Sequence, residues 1–210
     1  MSAVRSPRFL YFDLGNVLLF FDHVLAAQQM ADVAGVPRDR IWDVVYASGL
    51  FLRRETRELS DEAYYEIICQ QIGRRPDPAA LEHAGCDIFR SNLTMIPVIS
   101  QLKAAGHRLG MLSNTCATHY AFFASGRFRM IPEAFEVVVT SFDTGVMKPD
   151  PRIYEIAAAK AGVAPEEVFF ADDMPANVAG ARAAGFDAVQ YTDTPTLIRE
   201  LRQRGIRFND

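Results

Sequence analysis

The chain has 210 residues, half of them hydrophobic, 11 % aromatic and 23 % charged, with a net charge of −4. That size and profile point to one globular core with room for one inserted module, and exclude disorder, collagen and coiled coil. The acidic balance argues against nucleic acid as the main partner, because displacing counterions from phosphates takes a basic face; the apolar run over 14–21 is far too short to span a bilayer.

The first eight residues lead into only four apolar ones before Asp13, so no signal peptide is expected. Short apolar runs follow at 9–12, 107–112, 135–140, 168–171 and 188–191, and read as strands. Helical patterns over 95–105, 151–161 and 175–184 each end at a glycine, and the last two open with proline. Strand alternating with helix predicts an α/β fold around a parallel sheet. From Asp22 to Leu93 the alternation stops, with helical patterns and no convincing strand. There Asp22 is placed to cap a helix over 23–34, and Ser60 one that ends at Gly73. The domains are therefore expected as a core of residues 1–21 and 94–210 with a helical insertion over 22–93. Cys69, Cys86 and Cys116 form neither a CxxC pair nor an even disulfide framework, as expected of a reducing cytoplasm.

Ligands of open parallel sheets bind at the carboxyl ends of the strands. Just past the runs stand Asp13, Ser113-Asn114-Thr115 and Asp172-Asp173, with Lys148-Pro149 between the third run and the next helix. Three carboxylates in one crevice repel one another unless a cation joins them, and hard oxygen donors fit Mg²⁺. Mg²⁺ with a lysine and a hydroxyl is what a transferring phosphoryl group needs, and a strand-end carboxylate can be the nucleophile, passing through an aspartyl-phosphate.

Phe12-Asp13-Leu14-Gly15-Asn16-Val17-Leu18, Leu112-Ser113-Asn114-Thr115, Lys148-Pro149-Asp150-Pro151 and Asp172-Asp173-Met174-Pro175-Ala176-Asn177 resemble, in order, the four motifs of the haloacid dehalogenase (HAD) superfamily. The resemblance implies a Rossmann-like core with the inserted helical cap of subfamily I. It makes Asp13 nucleophile and metal ligand, Gly15 a ligand through its carbonyl, and Asp173 a Mg²⁺ ligand with Asp172 beside it. It gives Ser113 and Asn114 to the phosphoryl oxygens, the latter through its backbone amide, and pairs Lys148 with Asp13 and the phosphoryl group. The substrate it implies is a small phosphorylated metabolite.

Gly15 departs from the pattern, since most HAD phosphatases carry there a second Asp that serves as general acid and base, an effect worth ~10²–10⁴ in rate. The Asp-x-Gly-Asn form resembles a branch with sugar-1-phosphate phosphatases and relatives of the epoxide hydrolase N-terminal domain. A site without that acid is expected to prefer easily leaving groups, so hexose 1-phosphates over 6-phosphates. The same glycine is also open to a plainer reading, as a permissive backbone position. Two alternatives share the residue set: a metal-free 2-haloacid dehalogenase, and a degenerate HAD module that binds phospho-ligands without turnover. Among the remaining residues, Asn177 is expected to orient the Asp172-Asp173 loop, and His119 and Cys116 to be structural. Phe51, Leu52, Trp42, Tyr64 and Tyr65 are expected to be packing residues, and Arg53 and Arg54 to lie on an exposed helix face.

Overall fold

The computed structural model describes residues 7–128 and 130–208. The N-terminal residues 1–6, on which the expected absence of a leader largely rests, lie outside this range, as do 209–210 at the end of the expected core. Strand β1 (Phe9–Phe12) leads through the two-residue β2 (Leu19–Phe20) into α1 (His23–Ala34), α2 (Arg38–Trp42), a π-helical turn over Asp43–Ala47, α3 (Leu50–Glu55), α4 (Asp61–Ile72) and α5 (Pro78–Cys86). After β3 (Arg90–Ser91) come α6 (Met95–Ala104), β4 (Leu109–Ser113), α7 (Ala117–Ala124), β5 (Val137–Thr140), α8 (Ser141–Thr144) and α9 (Pro151–Ala161). The chain then forms β6 (Val168–Asp172), α10 (Pro175–Ala183), β7 (Asp187–Gln190) and α11 (Thr194–Gln203).

Five strands pair in parallel in the order β5-β4-β1-β6-β7. Apart from Asp187 and the last residues Ser113, Thr140, Asp172 and Gln190, these strands carry apolar side chains or glycine, because both faces of the sheet are covered. Leu10, Phe12, Phe169 and Ala171 point into one core with Val98, Leu102, Leu197 and Leu201, and the alternate residues Phe9, Tyr11, Val168 and Phe170 into a second with Ile153, Ala157 and Ala181. Each of these large side chains contributes about 1.5–3 kcal/mol by leaving water. The Tyr11 hydroxyl is kept satisfied in the second core by donating to the Ala157 carbonyl at 2.9 Å. Gly110 is required by that packing, since a Cβ there would stand 2.3 Å from Tyr11 Cε1.

The helices from α1 to α5 build a third apolar cluster of their own, including Met30, Ile41, Val45, Leu50, Ile68 and Leu81. Asp22 caps α1, accepting from the Val24 and Leu25 amides at 2.8 and 3.1 Å, and Ser60 caps α4 through the Ala63 amide at 3.1 Å. One expectation fails here: the stretch up to Leu93 is not free of strand, because β3 pairs antiparallel with β2. Two residues per strand carry no periodicity, and the ribbon holds the ends of the insertion together at the sheet.

Candidate functional site

The order of the sheet explains where the polar residues meet. The connection from β1 runs toward β4, whereas that from β6 runs toward β7, so β1 and β6 flank the point where the winding reverses, and a crevice opens beyond their ends. Asp13 follows β1, Ser113 ends β4, and Asp172 ends β6. The loop between α8 and α9 delivers Lys148 from the far side.

Lys148 is the centre of the arrangement. Its Nζ donates to Asp13 Oδ1 at 2.8 Å, Asp172 Oδ2 at 2.6 Å and the Leu112 carbonyl at 3.0 Å, using all three ammonium protons in a side chain only 1 % exposed. Burial alone would lower the lysine's pKa, but the two carboxylates outweigh it and hold the ammonium above its ordinary range. Burial pushes the Asp13 carboxyl up, Lys148 opposes, and Asp172 adds to the rise. Asp13 Oδ1 also accepts from the Leu14 amide at 2.7 Å, so both of these bonds fall on one oxygen.

The supporting contacts are as specific. Asp172, fully buried, accepts from the Met174 amide at 2.8 Å and from Asn177 Nδ2 at 3.0 and 3.1 Å. Asn114 clasps the Lys148 backbone: its Nδ2 donates to the Lys148 carbonyl at 3.0 Å and its Oδ1 accepts from the Lys148 amide at 2.8 Å. Ser141 ties down the neighbouring turn through the Thr115 amide and carbonyl at 2.9 and 3.0 Å. Neither the Asn114 side-chain clasp nor Ser141 is foreseen by the motif. Ser113 is buried, with its hydroxyl 3.3 Å from the Asn114 carbonyl. Asp173 accepts from Asn16 Nδ2 at 2.9 Å, and burial raises its pKa against that bond.

Asp13, Asp172 and Asp173 each offer an oxygen, all within 4.8 Å of one another. Three formal negative charges against one lysine leave two uncompensated. A divalent cation with a preference for hard oxygen donors therefore fits the set.

Three expectations change. The left-handed backbone of the turn after β1 belongs to Asn16 (φ 54°) and not to Gly15, which is small for another reason: a Cβ would lie 2.7 Å from Phe21 Cε1. Arg54 is not on an exposed face but buried, paired with Asp61 at 2.8 Å and stacked 4.4 Å over Tyr64. Trp42 and Leu52 are exposed instead of packed, because the apolar cluster takes the opposite faces of their helices. Arg53 does lie exposed, Phe51 and Tyr64 are core, and Tyr65 donates to the Pro76 carbonyl at 2.7 Å. His119 is buried 3.2 Å from the Gly85 carbonyl, and Cys116 packs with the helical cluster.

Two further features have no signal in the sequence. Glu55, at the end of α3, is half-buried, and burial pushes its carboxyl up to about 7, with Cys116 and Asp13 adding to the rise and His119 and Lys148 opposing it. A cavity of about 410 Å³ between the helical segment and α7 is lined by Met30, Tyr46, Phe51, Tyr64, Leu81 and His119 among others.

The sequence model of the haloacid dehalogenase-like hydrolases matches residues 10–185. Acyl-CoA dehydrogenase family member 10 of Mus musculus is 26 % identical over 95 % of this chain, which spans only 19 % of that protein's length. D-ribitol-5-phosphate phosphatase of Bacteroides thetaiotaomicron is 24 % identical over 86 % of this chain and 90 % of its own. A solved structure of a HAD family enzyme from the same organism, in complex with magnesium and inorganic phosphate, shares the fold with a TM-score of 0.81 at 22 % identity, covering 92 % of this chain and all of that one.

Proposed function

The chain belongs to the haloacid dehalogenase-like hydrolases, and on that premise we propose that it is a Mg²⁺-dependent phosphatase that hydrolyses a small phosphate monoester through an aspartyl-phosphate on Asp13. The observation that carries this reading is the Lys148 ammonium set between Asp13 and Asp172 at 2.8 and 2.6 Å, with Asp173 completing the carboxylate cluster. Asp13, Asp173 and the Gly15 carbonyl, with Asp172 beside them, would hold Mg²⁺, which supplies charge neutralisation for the phosphoryl oxygens.

Because Lys148 and the Leu14 amide both engage Oδ1, Oδ2 of Asp13 is the atom we assign to attack on phosphorus. The Lys148 ammonium and the Ser113 hydroxyl, with the Asn114 amide, stabilise the charge that develops on the phosphoryl group. Water then attacks phosphorus, the bond to Asp13 breaks, and the carboxylate returns. The helical segment over 22–93 acts in this account as a cap on the core of 1–21 and 94–210, closing to exclude bulk water.

Displacement of halide without metal is disfavoured, since three carboxylates repel an anionic acid. Among monoesters, the missing carboxylate at Gly15 favours those whose alkoxide leaves readily, such as sugar 1-phosphates, unless another side chain supplies the proton. The three cysteines are free and buried, in keeping with a reducing compartment such as the cytoplasm, and among the described residues no helix is long and apolar enough to cross a membrane.

Phosphate release from sugar phosphates and p-nitrophenyl phosphate, compared in Mg²⁺ and in EDTA and between wild type and Asp13→Asn, tests the reading. Turnover that needs both the metal and Asp13 is expected; turnover indifferent to either contradicts it.

A further inference from the structure

The place where a second carboxylate would stand on the loop after β1 is taken: the ring of Phe21 fills it, 2.7 Å from where a Gly15 Cβ would be. A departing alkoxide therefore finds no acid on that loop. Another carboxyl comes in from the helical segment. The ring of Phe51 on α3 lies 5.3 Å from that of His119 and 5.3 Å from that of His23, so this face of α3 looks onto the start of α7 and the residues that follow β2. Glu55 comes four residues later, on the same face. α3 also packs on α8, whose Ser141 is bonded to Thr115 two residues beyond Ser113.

The Glu55 carboxyl lies within electrostatic reach of Cys116, His119, Asp13 and Lys148. Among the described residues it makes no hydrogen bond or ion pair. The neighbouring imidazoles are poorer donors. His119 is engaged at the Gly85 carbonyl, and burial, with His119 close by, lowers His23 to about 4, leaving its ring neutral.

We propose that Glu55 is the proton donor to the leaving-group oxygen, taking from the helical segment the role that Gly15 cannot fill; this rests on the phosphatase reading above. As the bond from Asp13 Oδ2 to phosphorus forms, the ester P–O bond breaks with its electron pair going to the ester oxygen. Glu55 gives that oxygen its proton and is left as carboxylate. The carboxylate then takes a proton from the water that attacks the aspartyl-phosphate, and Asp13 leaves with the bonding pair. The balance is one ester and one water in, one alcohol and one phosphate out. A carboxyl raised by burial keeps a protonated fraction near neutrality, as a general acid requires. A donor at Glu55 also widens the substrate class from sugar 1-phosphates to ordinary alkyl esters such as sugar 5- and 6-phosphates.

The test is alcohol release in the first turnover with Mg²⁺ present, for wild type, Glu55→Gln and Glu55→Asp. The esters are ribitol 5-phosphate and glucose 6-phosphate, whose alkoxides need a proton, and p-nitrophenyl phosphate, whose phenolate does not. Glu55→Gln is expected to slow the alkyl esters by ~10²–10⁴ and the aryl ester by less than about tenfold, with Glu55→Asp recovering part of the alkyl rate. Thermal melting of each variant separates this from loss of fold, and the Asp variant carries the comparison if the Gln variant is unfolded. Equal slowing of both ester types by a folded variant, no slowing of either, or a wild type that accepts only the aryl ester overturns the assignment. A wild type inert toward all three esters overturns the phosphatase reading instead.

Discussion

Replacing Lys148 with Met removes a cation that touches two carboxylates, and the cost follows from the geometry. At an effective dielectric of ~20, each contact near 2.7 Å is worth roughly 6 kcal/mol of gross attraction, most of which offsets the desolvation of the three charges. What remains visible on mutation is the penalty of leaving a buried partner uncompensated, about 3–5 kcal/mol. For a chain of this length that corresponds to a fall in Tm of about 6–20 °C. The loss should depend on pH with a definite sign. Without the ammonium, Asp13 and Asp172 repel each other and the raised pKa of Asp13 rises further. The variant is then most stable at low pH, where protons replace the lysine, and loses stability as pH rises through that pKa. Urea unfolding of wild type and Lys148→Met in EDTA at pH 5 and pH 8 measures both effects. A penalty under about 1 kcal/mol at pH 8, or one that grows as pH falls, would refute the account of the lysine as the counter-charge of the site.

Asn114→Ala opens the clasp on the Lys148 backbone and leaves the lysine's own contacts in place, so kcat should fall about ten- to a hundredfold with a stability loss of only ~1–2 kcal/mol; steady-state kinetics beside thermal melting check this. Gly15→Asp should not restore an acid, because its Cβ meets Phe21 Cε1 at 2.7 Å; overpacking should cost about 1–3 kcal/mol and leave alkyl ester hydrolysis no faster, which melting and phosphate release read together. Glu55 predicts a pH effect on stability. A carboxyl raised to about 7 binds more protons folded than unfolded, so wild type should lose up to ~3 kcal/mol relative to Glu55→Gln as pH rises from 5 to 8. Denaturation midpoints that track each other across that range would contradict it.

Much of the molecule is legible in one dimension because the determining interactions are local. Phe9–Phe12 and Pro151–Ala161 have the bounds expected from the apolar run and from the proline and glycine at the helix ends, and α1 and α4 start and stop at Asp22, Gly35, Ser60 and Gly73. The convergence of Asp13, Ser113 and Asp172 follows from one topological rule applied to strand ends, whereas Lys148 arrives from the loop beyond α8. Helix α11 is missing from the expectations, although Asp193 caps it by accepting from Thr196 at 2.7 Å, with Pro195 in its first turn.

What escaped depends on contacts between segments distant in sequence. Two residues of β2 can be recognised as strand only once Arg90 and Ser91 lie beside them. Arg54 is adjacent to exposed Arg53, and only the position of Asp61 and Tyr64 makes one buried and the other not. The Asn114 side chain reaches Lys148, 34 positions away, a contact that its place in the motif does not signal. Glu55, in a run of charged residues, has no local signal at all; its environment is made by Cys116, His119, Asp13 and Lys148.

The central claim is a covalent phosphoryl group on Asp13. Wild-type chain mixed with Mg²⁺ and a phosphate ester radiolabelled at phosphorus, quenched in acid within the first turnover and reduced with borohydride, converts any acyl phosphate at an aspartate to homoserine. Label on the quenched protein and homoserine at position 13 by peptide mass mapping, both missing in Asp13→Asn, is the predicted result. Full phosphate release with no protein-bound label at any quench time, or homoserine at position 172 or 173 instead, would contradict it.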